Sequence, residues 1–401
     1  MKRLIALLLA AVMTLSFVAC STNTPEGTGN SGDPTSPTKD PATLDKIYQR
    51  DSYTGEALAV AENRNTVVAT LGSAKLTNGV LQMYYWMDVY DYLNNYGSYV
   101  SQYGLDVTKP LDAQNCGDTG TWQHYFLGSC LEAWKYYQAM ALAADEAGIA
   151  ILPEYQEELD GLYDELAKNA VDEGFETIDV MIQADAGPGC TAEDYYTYTE
   201  LYYKAYSYFN TKFYEIEITD KMIDEYFTEH EASLAVNGIN KKTGDSSMVR
   251  HILFQVAETK TDSDWEACRQ KAQDMLDSWL AGDATEDSFA ALAKEHSEDP
   301  GSKAEGGLYR GLTDQTSFVQ EFKDWYLAEG RATGDYGLVK TDYGYHIMYY
   351  SGTEPIWVYY CREMLLDEGS SKIVSDAVDK YEAVIDYDKI LLGEVKLTEE
   401  K

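Results

Sequence analysis

Two of the five histidines in this 401-residue sequence stand in apolar segments that are typical of β-strands. His251 belongs to the alternating run 249–254, and His346 belongs to 345–350, a run of β-forming residues that follows a glycine. If the two segments pair as strands, the imidazoles can meet in the middle of a small sheet. Because imidazole donates and accepts hydrogen bonds and changes charge near neutral pH, such a pair is a candidate for a catalytic site.

Short motifs follow one another in order between the two histidine segments and around them. They are R-H-I-L at 250–253, L-A-x-E-x-S at 292–297, D-P-G-S at 299–302, G-G-L at 306–308, E-F at 321–322 and G-Y-H-I at 344–347. Taken together, these motifs resemble the parvulin family of peptidyl-prolyl cis/trans isomerases. The resemblance implies a four-stranded antiparallel sheet with surrounding helices, which we place at residues 246–353.

The same resemblance assigns roles to individual residues. His251 and His346 would be the histidine pair over the reacting bond, and Asp299 their polar neighbour, where some relatives have Cys. Leu308, Phe318 and Phe322 match the residues that line the apolar proline pocket. Thr341 matches the hydroxyl that supports the histidines. We further expect the Asp299 carboxylate to raise the pKa of the imidazoles, so that activity changes between about pH 6 and 8.

Each of these assignments has a structural alternative. Histidines on adjacent strands can simply stabilise a sheet by hydrogen bonding, and Asp299 could cap the turn that follows at Pro300 and Gly301. We favour catalysis, because the pocket aromatics occur together with both histidines.

Charge and missing motifs narrow the chemistry. The chain has 31 Lys and Arg against 68 Asp and Glu, a formal net charge of −37, which argues against nucleic-acid partners. Parvulins that require a phosphorylated substrate carry a basic cluster after the first strand, whereas residues 255–264 are net acidic here. The sequence also lacks the common motifs of zinc, nucleotide and serine-nucleophile sites, so we expect no cofactor and no metal.

The N-terminal residues predict an export signal. Lys2 and Arg3 precede an apolar stretch at 4–18 that is too short to span a bilayer, and Cys20 follows a small residue. This pattern resembles a bacterial lipoprotein signal peptide at 1–19 with lipidation of Cys20; an ordinary secretory signal is the alternative. Residues 20–43 are rich in Ser, Thr, Gly, Pro and Asp, and they predict a flexible tether.

The remaining sequence predicts a mostly helical module in addition to the sheet domain, and therefore an α+β fold. A strand and its return are expected at 66–76, and helices at about 78–89, 121–147 and 153–171, from 191 and from 219. By resemblance to the chaperones of the PrsA and SurA types, residues 44–245 form the N-terminal part of this module. Residues 354–401 would return to it through an apolar segment at 356–360 and a helical pattern around 373–385.

Tyrosine and cysteine leave alternatives open. Of 34 tyrosines, eight lie between residues 195 and 214, where they could pack in the core or form a wall that binds client proteins. Five cysteines remain when Cys20 is set aside, and among them Cys116 and Cys130 could form a disulfide.

The sequence therefore predicts a lipid-anchored peptidyl-prolyl isomerase and foldase at the outer, extracytoplasmic face of a bacterial cytoplasmic membrane. Its partners would be unfolded or newly secreted polypeptides with X-Pro bonds and, through the anchor, the membrane; a homodimer is left open. The alternative is a non-catalytic holdase chaperone whose parvulin domain is a silent scaffold.

Overall fold

The computed structural model describes residues 46–55, 61–117 and 120–397, so the predicted signal peptide, Cys20 and tether lie outside the described residues. The described residues form two compact units. The first takes in the described residues up to Ile216 and again from Gly369, and the second is Glu217–Glu368.

Helices outnumber strands in the described part of the chain. The helices are α1 (Ala61–Arg64), α2 (Asn78–Tyr96), α3 (Trp122–Ala147), α4 (Pro153–Asp172), α5 (Ile178–Ala186), α6 (Ala192–Phe213), α7 (Asp220–Val236), α8 (Asp262–Ala281), α9 (Glu286–His296), α10 (Gln320–Tyr326) and α11 (Ile356–Val378). The strands are β1 (Val67–Leu71), β2 (Ala74–Thr77), β3 (Asp245–Gln255), β4 (Leu308–Leu312), β5 (Tyr336–Thr341), β6 (Gly344–Pro355) and β7 (Ala383–Ile385). Short 3-10 turns lie at Gly97–Tyr103, Leu111–Ala113 and Tyr387–Lys389.

Local sequence signals set the helix ends of the first unit. Thr77 accepts a hydrogen bond from the backbone N–H of Val80 and so caps α2. Thr191 and Asp194 form a reciprocal capping box at the start of α6. Pro153 occupies the first turn of α4, where its missing N–H costs nothing. These caps agree with the helix starts that the sequence predicts.

The C-terminal segment belongs to the first unit from Gly369 onward, whereas residues 354–368, which we expected to return with it, belong to the second unit. Strand β7 pairs antiparallel with β1, which gives a three-stranded sheet in the order β2-β1-β7. Two buried side-chain amides of α2 bind the backbone that follows β7. The side chain of Asn78 accepts a hydrogen bond from the N–H of Leu391, and that of Gln82 accepts one from the N–H of Gly393. The predicted helix around 373–385 is wrong in its second half, because residues 383–385 are β-forming and complete this sheet.

Packing rather than exposure accounts for most of the tyrosines of α6. Five of them are buried in the core of the first unit, namely Tyr195, Tyr198, Tyr202, Tyr203 and Tyr208. Burial of these five phenol rings favours the packing alternative over a client-binding wall for them. The sequence left a disulfide between Cys116 and Cys130 open, and both cysteines are free in the structure.

The second unit is built on an antiparallel sheet in the order β4-β3-β6-β5. One face, with Ile252 and Ile347, packs against α8 and α9. The other face, with Val249 and Met348, packs against Phe322 and Tyr326 of α10. The unit extends beyond residues 246–353, because Ile223 and Phe227 of α7 share a small core with Cys361 of α11.

None of the helices in the described ranges combines the length and the apolar character that a membrane span requires.

Candidate active site

The pairing of the two central strands brings the histidines together. In the antiparallel register of β3 and β6, His251 lies opposite Met348 and Leu253 lies opposite His346. Because side chains alternate along a strand, both imidazoles point to the same face of the sheet, on a diagonal. Their Nδ1 atoms are 3.0 Å apart, and the rings are 3% and 5% exposed.

Polar groups complete the histidine pair at both ends. Nε2 of His251 lies 2.9 Å from Oδ2 of Asp299, and Nε2 of His346 lies 2.9 Å from the hydroxyl of Thr341. Four of the seven predicted site residues therefore form one hydrogen-bonded chain, in the order Asp299, His251, His346, Thr341.

The direction of the hydrogen bonds follows from what each group can donate. An ionised carboxylate only accepts, so Nε2–H of His251 donates to Asp299. With both rings neutral, Nδ1 of His251 must then accept from Nδ1–H of His346. Nε2 of His346 is left as an acceptor for the hydroxyl of Thr341. Every ring nitrogen thus has a partner, as buried polar groups require.

Burial and charge set the ionisation of this chain. Desolvation, together with the charge of His251, lowers the pKa of His346 to about 3, although Asp299 acts in the opposite sense. The net shift of the His346 pKa is therefore opposite to our expectation, although the carboxylate itself acts in the expected direction. Desolvation alone would raise the pKa of Asp299, but hydrogen bonds from His251, Ser302 and Tyr309 and the charge of His251 hold it well below its ordinary value.

Aromatic rings cover the same face of the sheet. The ring of Phe322, on α10, lies 5.2 Å from that of His251 and 5.5 Å from that of His346, edge to face in both cases. Phe318 lies 5.1 Å from Phe322 and is half-buried. Phe322 itself is only 3% exposed, so in this conformation the neighbouring rings cover it and Phe318 is the part of the pair that solvent reaches.

Leu308 does not belong to this group of rings. In the pairing of β3 with β4 it lies opposite Arg250, on the face of the sheet that carries α8 and α9. The next residue, Tyr309, lies opposite Val249 on the histidine face. We therefore correct the predicted pocket: Tyr309 takes the place that the sequence assigned to Leu308, because a shift of one residue along a strand exchanges the two faces.

Two residues of the site were missed by the sequence reasoning. The hydroxyl of Ser302 donates to Oδ2 of Asp299 over 2.5 Å, and the hydroxyl of Tyr309 donates to the same oxygen over 3.1 Å. Ser302 closes the D-P-G-S motif, which is the one signal that could have drawn attention to it. In the described part of the chain, no group of three or more His, Cys, Asp or Glu side chains is arranged to hold a metal ion.

The part of the chain that carries this site is similar to known proteins. Residues 234–352 match the family model of the PPIC-type PPIASE domain. The chain is 38% identical over 84 residues to "Putative peptidyl-prolyl cis-trans isomerase Cbf2" of Campylobacter jejuni, a match that covers 20% of this chain and 30% of that protein.

Chaperones and foldases give matches of similar strength. "Chaperone SurA" of Pseudomonas fluorescens is 32% identical over 113 residues, which is 28% of this chain and 24% of that protein. "Foldase protein PrsA" of Geobacillus is 30% identical over 136 residues, which is 33% of this chain and 37% of that protein. The chain thus matches well under half the full length of each of these relatives. Within that region the resemblance to parvulin-type isomerases and PrsA- and SurA-like foldases is confirmed.

Proposed function

We propose that this chain, whose residues 234–352 form a PPIC-type PPIase domain, is a peptidyl-prolyl cis/trans isomerase that assists protein folding. The observation that carries the proposal is the hydrogen-bonded chain from Asp299 through both histidines, set against the rings of Phe318, Phe322 and Tyr309. A polar network of this kind beside an aromatic surface has the two parts that an X-Pro substrate requires.

The reaction neither forms nor breaks a covalent bond. Rotation about an X-Pro bond has a barrier of ~18–20 kcal/mol and takes tens to hundreds of seconds without a catalyst. Because amide resonance sets that barrier, the catalyst needs to favour the twisted amide but forms no bond to it. The planar amide carries more charge separation than the twisted one, so a water-poor aromatic surface such as that around Phe318 favours rotation.

The polar chain gives the aromatic surface a fixed partner. Asp299 is held ionised and its side chain is 17% exposed, so it is the member of the chain that a bound peptide can reach. The histidines behind it lock its position, and Thr341 locks theirs. We assign His251, His346 and Asp299 to the catalytic group, and Phe318, Phe322 and Thr341 to substrate binding and its support.

We propose unmodified X-Pro bonds in unfolded or newly secreted polypeptides as the substrates. The loop after β3 and the first turn of α8 carry acidic side chains at Glu258, Asp262 and Asp264 and one lysine, Lys260, between them. That arrangement repels a phosphorylated side chain and disfavours phosphate-directed recognition.

A proline-limited refolding assay tests the function. The full chain should accelerate the slow refolding phase of a protein whose folding waits for an X-Pro bond, and the double variant His251→Ala/His346→Ala should not. His230→Ala is the matched control, because His230 lies on α7 beside the ring of Tyr226 and has no part in this network. Equal, background-level rates for wild type and double variant would leave no isomerase function.

A holdase chaperone is the second candidate, and one observation favours it. The two histidines are 3% and 5% exposed, and protein groups satisfy every ring nitrogen, which is what a purely structural pair requires. A holdase would suppress aggregation of an unfolded protein equally well in wild type and double variant, while neither of them changes the refolding rate.

We also propose that the protein acts at the extracytoplasmic face of the cytoplasmic membrane, anchored through a lipid on Cys20. The support is the sequence alone: a basic start, an apolar stretch at 4–18 and a cysteine after Ala19. Two acyl chains on one cysteine suffice for stable anchoring. Cys20→Ser should move the protein from the membrane fraction to the soluble fraction; unchanged membrane association would contradict the lipid anchor.

A further inference from the structure

Tyr309 is the one tyrosine whose hydroxyl reaches the carboxylate of the candidate site within the described residues. Its hydroxyl lies 3.1 Å from Oδ2 of Asp299. Two further donors converge on that oxygen: Nε2–H of His251 and the hydroxyl of Ser302. Three donors on a single carboxylate oxygen fix both the position and the charge of the group.

The ring of Tyr309 is itself held from two sides. It lies 5.4 Å from the ring of His251 at an interplanar angle of 35°, and 4.9 Å from the ring of Phe318, edge to face. Pairing of β4 with β3, where Tyr309 lies opposite Val249, sets the height of the ring on the sheet. These contacts fix the orientation of the ring, so its hydroxyl is held beside Oδ2 of Asp299.

The approach of the phenol to Asp299 also depends on the D-P-G-S loop. A Cβ atom built on Gly301 would lie 2.6 Å from the hydroxyl oxygen of Tyr309, closer than carbon and oxygen can approach. The missing side chain of Gly301 therefore leaves the space that the hydroxyl of Tyr309 occupies. This second observation shows that the backbone is shaped around the contact.

We propose that Tyr309 is a positioning residue of the isomerase site, which acts by donating a hydrogen bond that holds the Asp299 carboxylate between His251 and the substrate. The proposal rests on the proposed isomerase function and adds a residue to it. Tyr309 is half-buried, so it closes the network on the side that faces solvent, whereas Ser302 is buried and closes it from within.

The test replaces the hydroxyl and keeps the ring. In the full chain, Tyr309→Phe should lower kcat for an X-Pro tetrapeptide by about 10-fold or more with KM nearly unchanged, the effect of one lost hydrogen bond to a charged group. The titration midpoint of the Asp299 carboxyl, followed by carbon NMR, should rise, because one donor to the ionised form is gone. Loss of ring packing alone would not move that titration, and a hydrogen bond that served only the fold would leave kcat unchanged.

Tyr350→Phe is the matched control. Tyr350 is a buried tyrosine on the same face of the sheet, and its hydroxyl lies 3.1 Å from that of Ser247. It should keep both kcat and the Asp299 titration. Equal losses of kcat in the two variants, or an unchanged titration and kcat in Tyr309→Phe, would overturn the proposal. If the wild type does not accelerate isomerisation at all, the proposed function fails, and the titration alone decides whether Tyr309 holds Asp299.

Discussion

At the scale of single residues, His346 illustrates how burial decides the charge of a site. The ring is 5% exposed, next to another imidazole, and its pKa is lowered to about 3. The carboxylate of Asp299 lies beyond His251 in the chain of hydrogen bonds, so it acts on His346 only at a distance. The neutral ring is the form that can accept the hydrogen bond from Thr341.

This shift makes the second unit sensitive to mild acid. A histidine in an unfolded chain has a pKa of about 6.5, whereas His346 in the fold has one of about 3. Between these values the unfolded chain binds more protons, so the stabilising contribution is complete above about pH 6.5 and declines as the pH falls toward 3. We expect the second unit to lose ~2 kcal/mol between pH 7 and pH 5 through this residue.

Hydrogen exchange of the β3 and β6 amides at the two pH values, corrected for the intrinsic rate, measures this loss. The variant His346→Gln provides the control, because Gln carries no titrating group. Asp299 does not affect this measurement. Its pKa is lowered in the fold, so the stabilisation that it gives is complete above about pH 4 and declines only below that pH. A pH dependence that is the same in wild type and variant would show that His346 does not titrate in this way.

At the scale of elements, the turn before β4 holds the site to the sheet. The N–H of His251 donates to the carbonyl of Gly307 over 2.8 Å, and the N–H of Gly307 donates to the carbonyl of Ser302. Gly307 has a φ of +76°, and a Cβ there would collide with the backbone carbonyl oxygen of His251. Both the conformation and the close approach require glycine.

Gly307→Ala should therefore destabilise the second unit and displace Asp299 from His251. Gly330→Ala is the control, because Gly330 has a similar φ of +80° but nothing within 4 Å of an added Cβ. We expect Gly307→Ala to cost about 1–3 kcal/mol more than Gly330→Ala, measured by urea unfolding, because it adds a clash to the same backbone strain. Equal costs would mean that the turn relaxes away from β3.

The histidine strands could be predicted from the sequence because their patterns are local. Residues 249–254 alternate, and residues 345–350 follow a glycine turn, so both strands and the facing of His251 are set by nearby residues. Asp299 and Thr341 were predicted through motif positions, and the structure places both beside the histidines.

Tyr309 could not be predicted in the same way. Whether Leu308 or Tyr309 faces the histidines depends on how β4 aligns with β3, and that register shifts between Ser247 and Val249. A shift of this kind is decided by tertiary packing, and a sequence of five residues in β4 does not reveal it. The charge of His346 was mispredicted for a related reason, because the depth of burial depends on α10 and its aromatic side chains.

At the scale of the whole molecule, the C-terminal segment from Gly369 onward belongs to the first unit, although residues 217–368, which form the second unit, come before it in the sequence. Gln82 of α2 is fully buried, donates to the carbonyl of Leu391 over 2.9 Å and accepts from the N–H of Gly393 over 2.8 Å. Trp86, one turn later, donates to the carbonyl of Gly393. These side chains bind the returning backbone as a neighbouring strand would.

Gln82→Ala should destabilise the first unit by about 2–4 kcal/mol, because it leaves two buried backbone groups without partners. Gln156→Ala is the control, since exposed Gln156 bonds only to Asp160 on its own helix. Thermal unfolding measures the loss, and the rate of isomerisation of a short X-Pro peptide should stay unchanged in both variants. A fall in that rate in Gln82→Ala would contradict the assignment of the peptide site to the second unit alone.

The central claim is that Asp299, held by the histidine pair, catalyses rotation about X-Pro bonds. Asp299 is the best probe, because its side chain is 17% exposed and its replacement disturbs the core less than loss of either histidine. The most direct measurement is the exchange rate between cis and trans forms of an X-Pro peptide by NMR, with wild type, Asp299→Ala and the surface control Asp283→Ala. We predict acceleration by wild type and Asp283→Ala and a loss of at least about 10-fold in Asp299→Ala; equal rates for all three proteins would contradict the account.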